Sequence, residues 1–238
     1  MDNIQINQHI SRQFNAELEE IRNKVLAMGG MVEQQIRDAV TSLIEGDIEL
    51  AEKVVNNDMR VNAAEVDIDE ECSQIIARRQ PAASDLRLVV AIIKTITDLE
   101  RIGDQAERVA HTAIRLTTGE RGGSHHIELR HLGDQVSAMV HDVLDAFARM
   151  DPEAAVQVAK DDVKVDKEYE SVMRQAITFM MEDPRAITGM LDIIWVARAL
   201  ERIGDHAKNI GEYVIYLVKG KDVRHIGLEK LVEQVSKD

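Results

Sequence analysis

A chain of 238 residues with 43 acidic and 29 basic side chains, formal charge −14, repels a phosphodiester backbone unless its basic residues are segregated, and no basic block occurs, so no nucleic-acid partner is expected. Three prolines, three phenylalanines, three tyrosines and one tryptophan, set against abundant Ala, Val, Ile, Leu and Glu, favour helices over strands. A lone cysteine, Cys72, excludes an intramolecular disulfide. The opening MDNIQINQHI lacks the basic start and apolar core of a secretory signal, and charges interrupt every long apolar window, so a cytoplasmic protein that meets membranes only peripherally, through partners, is expected.

In chain order, apolar residues recur at helical spacing up to a break at Gly46-Asp47. They resume to a second break at Arg79-Gln80-Pro81, and a third helix runs to the polar, glycine-rich stretch Thr117–Ser124, which reads as a linker. Inside the first helix, Gly29-Gly30 marks a kink, a close helix contact, or simply a tolerated pair of small residues. Cys72 lies on an apolar stretch of the second helix and reads as core packing. The second half repeats the plan. Its breaks fall at Met150-Asp151-Pro152, where Asp caps and Pro fits the first turn, and at Asp183-Pro184.

The halves also match in letters. Glu100-Arg101-Ile102-Gly103-Asp104 recurs as Glu201-Arg202-Ile203-Gly204-Asp205, preceded by Leu both times. Upstream, Asp47–Ala51 resembles Asp151–Ala155, and Asp58–Asn62 resembles Asp162–Asp166. Three landmarks in the same order indicate duplication. The expected fold is therefore all-α, two tandem three-helix bundles related by internal duplication. The boundaries are drawn as 1–118 for the first bundle, 119–127 for the linker, 128–220 for the second bundle and 221–238 for a C-terminal tail.

Residues four apart share a helix face, so Glu100 with Asp104, and Glu201 with Asp205, pair like charges that repel unless something positive sits nearby. The middle helices repeat the spacing with Asp58 and Asn62, and with Asp162 and Asp166. Oxygen donors from two facing helices can together ligate a hard or borderline cation such as iron, manganese, magnesium or calcium. In the first half Glu65 and Asp69 extend the stripe; Tyr169 and Met173 hold those places in the second, so the halves are not chemically equivalent. The competing reading neutralises the acids with Arg101, Arg202 and other arginines. Spacing alone favours that reading, and the repetition of the pattern brings the metal reading level with it.

Other signals are weaker. His111 and His206 default to polar-face residues, and His125-His126 to a solvated loop pair. The one Glu-x-x-His match, Glu128 to His131, falls short of a di-iron set, and no nucleotide-binding loop occurs. A metal-dependent enzyme using the carboxylates remains the alternative function.

Gln80–Leu88, Asp98–Asp104, Glu201–Ile210 and the tandem repeat together resemble the PhoU family over most of the chain. The resemblance implies a non-enzymatic negative regulator of the phosphate-starvation response and of phosphate uptake. It would act as a homodimeric, metal-binding adaptor between a phosphate ABC transporter and a sensor histidine kinase with its response regulator. It further implies one metal cluster per repeat, of iron or another divalent metal (Mn, Mg or Zn). The matching ligands are Asp58, Asn62, Glu100 and Asp104, then Asp162, Asp166, Glu201 and Asp205. Asn62 departs from that pattern, and its neutral amide leads one to expect that the first site binds more weakly or stays empty.

Overall fold

The computed structural model describes residues 12–118 and 126–236. Six long helices carry the fold: α1 (Arg12–Glu45), α2 (Ile48–Arg79), α3 (Ala83–Thr118), α4 (His126–Arg149), α5 (Pro152–Glu182) and α6 (Ile187–Lys219). A short helix α7 (Leu228–Ser236) follows. No strand occurs among the described residues, and no described helix is long and apolar enough to cross a membrane. Residues 119–125 of the expected linker, and the side chains of His125, His126 and Glu128, lie outside the described residues.

The breaks fall at the residues that signal them. Gly46 turns the chain at φ 68°, and Asp47 caps α2 by accepting from the Leu50 amide at 3.0 Å. The equivalent turn of the second half puts Met150 at φ 54°, a conformation costly for a side chain with a Cβ, before Asp151 caps α5 through the Glu153 and Ala154 amides. Pro152 occupies the first turn of α5, where its missing N–H would be unpaired anyway. Asp183 closes α5 and caps the 3-10 turn Pro184–Ala186. Gly220 ends α6 in the left-handed conformation. Past it, the stretch read as a tail buries Val223 and returns as α7, which packs on α5 and buries Leu231 and Val235.

Within each half the three helices pack pairwise, as the stripes require. Across the halves α3 packs along α6 and α1 crosses α4, so one apolar core runs through both bundles. The α1–α4 crossing uses two glycines at equivalent repeat positions. A Cβ on Gly29 would lie 2.5 Å from Leu144 Cδ2, and one on Gly133 would lie 2.7 Å from Val40 Cγ1. The Gly29-Gly30 pair is thereby explained by its first member as a close helix contact, whereas Gly30 has open space beside it. Cys72 is fully buried, and burial pushes its thiol up to about 12, which suits packing and not nucleophilic chemistry.

A polar knot joins α3 to α6. Asp98, 2% exposed, accepts hydrogen bonds from Tyr213 Oη at 2.8 Å and Asn209 Nδ2 at 3.4 Å, and its Oδ1 lies 2.7 Å from His206 Nδ1. Lys94 lies over the rings of Tyr213 and Tyr216 at the same junction. His206, expected on a polar face, thus lies between the bundles.

Candidate functional site

On α2 and α3 the repeated motif produces a close approach. Gly103 sits where a Cβ would lie 3.2 Å from Asp58 Oδ1 and 3.3 Å from Val61 Cγ1, so the missing side chain lets the helices close and brings their carboxylates together. Oxygens of Asp58, Asp104 and Glu107 all lie within 4.8 Å of one another. Sequence spacing pairs Asp104 with Glu100 and does not reach Glu107. Glu107 stands three residues past Asp104 and seven past Glu100, on the same helix face.

Asp58 is anchored from both sides. Gln35 of α1 donates to its Oδ1 at 2.9 Å, and Asn62 donates to its Oδ2 at 3.0 Å. The carbonyl oxygens of those two amides, Gln35 Oε1 and Asn62 Oδ1, are buried and accept no hydrogen bond among the described residues. Burial holds Glu100, Asp104 and Glu107 above the ordinary carboxylate range, and each is pushed further up by a neighbouring acid, Asp104 for the first and Asp58 for the other two. Glu65 is raised by burial as well, against a hydrogen bond from Thr97, whereas Asp69 is exposed. The cluster is a crowded set of oxygen donors with unmet acceptor capacity, the chemistry that suits a hard divalent cation.

The second acidic face is built at equivalent positions but partly neutralised from within. Asp162, 2% exposed, accepts from Lys208 Nζ at 2.6 Å. Glu201 Oε1 accepts from Arg198 Nη1 at 2.5 Å, while Glu201 Oε2 is buried without a partner among the described residues. Burial raises the carboxyls of Asp162 and Glu201, and the half-buried Asp205 adds to both; Asp166 is exposed. Burial pushes the Lys208 ammonium down, but its hydrogen bond to Asp162 and the surrounding carboxylates outweigh that and hold it above its usual range. Gly204 plays the part of Gly103, with a Cβ position 3.3 Å from Val165 Cγ1 and 3.6 Å from Asp162 Oδ1. No arrangement of three acids as tight as that around Asp58 occurs here among the described residues.

The upward shifts in the first cluster have a consequence for stability. A carboxyl whose folded value is raised binds more protons when folded than when unfolded, so its favourable contribution is complete below the unfolded value and is lost as pH rises through the folded one. With chelator present, Glu107→Gln should therefore melt closer to wild type near pH 4 and progressively above it toward pH 7. Calorimetry across that range checks the sign, and a gap that widens toward acid would refute it.

Set beside known proteins, the chain matches the PhoU domain twice, over residues 25–113 and 129–214. The phosphate-specific transport system accessory protein PhoU homolog of Pseudomonas putida is 56% identical over 227 residues, covering 95% of this chain and 89% of that one. The Escherichia coli (strain K12) phosphate-specific transport system accessory protein PhoU is 52% identical over 235 residues, covering 97% and 95%. The crystal structure of PhoU from Pseudomonas aeruginosa aligns with a TM-score of 0.86 at 56% identity, covering 88% of this chain and 100% of the other. The phosphate transport system regulatory protein PhoU from Streptococcus pneumoniae aligns with a TM-score of 0.82 at 29% identity, covering 89% and 99%.

Proposed function

The chain belongs to the PhoU family, whose named members are accessory and regulatory proteins of phosphate transport, and from that premise we propose that it represses the phosphate-starvation response when phosphate is plentiful. It does so in the cytoplasm as a homodimeric adaptor, contacting a phosphate ABC transporter and a sensor histidine kinase and restraining phosphate uptake without turning over a substrate. The observation that carries this reading is the double PhoU-domain match across both halves of the chain, supported by 52% identity to a phosphate transport accessory protein over nearly its whole length.

Within that role, the carboxylates of Asp58, Asp104 and Glu107 bind a hard divalent cation, with Glu100 and the amide oxygens of Asn62 and Gln35 at the margin. Their mutual repulsion and unmet acceptors are what a cation would relieve. Asn62 then leaves the first site viable, because Glu107 supplies the charge that Asn62 withholds. Relief of that repulsion tightens α2 on α3 and so alters the surface this bundle presents to a partner.

The test is complementation. In a bacterium lacking its own PhoU-family protein and carrying a reporter for the starvation response, this chain should restore repression in high phosphate. Asp104→Asn with Glu107→Gln should restore it less, although it folds. A chain that folds and co-purifies with neither kinase nor transporter, and leaves the reporter derepressed, would overturn the adaptor reading.

A further inference from the structure

The two acidic faces are copies of one design, yet one equivalent position is reversed in charge and others gain a cation or lose a carboxylate. Glu107, which completes the first carboxylate group, corresponds to Lys208 in the second repeat. Thr97 corresponds to Arg198, Glu65 to Tyr169, and Gln35 to Met139. These changes make the second face less demanding of an outside cation, although Asp166 in place of Asn62 adds one carboxylate at its exposed edge.

The geometry follows the charges. Lys208 reaches from α6 to the buried carboxylate of Asp162 on α5, 2.6 Å away, and its charge also acts on Asp205, Asp166 and Glu212. Arg198 holds Glu201 and stacks on Tyr169, 5.8 Å from the ring centre. In the first repeat nothing comparable among the described residues reaches Asp58, whose hydrogen bonds come from the neutral amides of Gln35 and Asn62. A divalent ion at the second face would have to displace an ammonium from a carboxylate that is 2% exposed, or share the space with it against Coulomb repulsion.

We propose that Lys208 is a built-in cation that replaces a metal ion in the second repeat, so that this chain takes up exchangeable divalent metal only in its first bundle. The proposal rests on the reading of the first cluster as a cation site for its second half alone. The role of Lys208 stands on the salt bridge itself. One bundle thereby carries its own counter-cation, and the other responds to cation supply.

The experiment uses full-length protein stripped with chelator and titrated with Mn²⁺, with free Mn²⁺ read by electron paramagnetic resonance and stability by thermal melting. Wild type should show one class of sites, lost in Asp104→Asn. Lys208→Glu, which copies the first repeat, should bind up to about twice as much Mn²⁺. Because that variant gathers acids and can fail to fold, Lys208→Gln is made in the Asp104→Asn background. It should melt several degrees lower in chelator and regain much of the loss with Mn²⁺, whereas Asp104→Asn alone should not respond. Mn²⁺ binding by Asp104→Asn that disappears on Asp162→Asn would overturn the proposal, as would Lys208 variants that gain no Mn²⁺ capacity and show no Mn²⁺ rescue. If wild type takes up no Mn²⁺ but the Lys208 variants do, the first-cluster reading fails and the role of Lys208 stands. If wild type binds through Asp104 and the Lys208 variants add nothing, the reverse holds.

Discussion

Replacing Asp98 with alanine is expected to destabilise the protein by about 3–5 kcal/mol, because the donors around a buried carboxylate lose their acceptor together. Tyr213 Oη, Asn209 Nδ2 and His206 all converge on this one side chain, and Tyr213 is held well above its usual range by burial and by the charge of Asp98. Two smaller changes calibrate the result. Tyr213→Phe removes a single donor and should cost about 0.5–1.5 kcal/mol, while Asp98→Asn keeps one acceptor oxygen and should fall between. For a chain of this length, each kcal/mol lowers the melting temperature by roughly 2–4 °C. Since the knot joins α3 to α6, Asp98→Ala should also lose amide protection along those two helices before the others. An Asp98→Ala protein within about 0.5 kcal/mol of wild type would show that the knot contributes nothing net, which some buried ion pairs do.

The second large effect is expected at the glycine crossing of α1 and α4. Gly133→Val should cost about 1–3 kcal/mol by overpacking, since even its Cβ falls 2.7 and 2.8 Å from the two methyls of Val40. Val40 is β-branched and stiff, so it cannot rotate out of the way. Gly133→Ala meets the same methyls but regains about 1 kcal/mol of helix propensity, and should lose less. Gly29→Ala should lose least of all, because its nearest neighbours are the flexible δ-methyls of Leu144. Adding Val40→Ala to Gly133→Val should restore part of the loss. Urea denaturation of the series tests the order, and a neutral Gly133→Val would show that the helices can separate freely at this point.

These residues also mark where sequence reasoning stopped. The helix ends were readable because caps and breakers act locally: Asp47, Asp151 and Asp183 each bond an amide within three residues. Membership of the acidic faces was readable in part, because residues four apart share a face. Glu107 escapes that reading because the repeated motif ends at Asp104. Aligning the repeats a few residues further would have paired Glu107 with Lys208 and exposed the charge reversal. Gln35 and Asp98 offered no comparable local signal. A glutamine on α1 becomes part of the site only because α1 packs against both α2 and α3. Asp98 sits directly before Leu99 and Glu100 in the motif and reads as one more acid paired locally with Arg101, while the hydrogen-bond partners that bury it lie more than a hundred residues away.

From the sequence alone came the helical class, the duplication, the positions of the chain breaks and the two acidic faces, all set by short-range periodicity and capping chemistry that a linear chain displays. Only the tertiary structure decided that the bundles share one core through paired glycines and a buried aspartate. It also decided which carboxylates converge and which one already holds an ammonium. Those outcomes depend on distances between helices remote in the chain, where a missing Cβ or one long lysine side chain determines how closely two charged faces approach and whether the space between them is already filled.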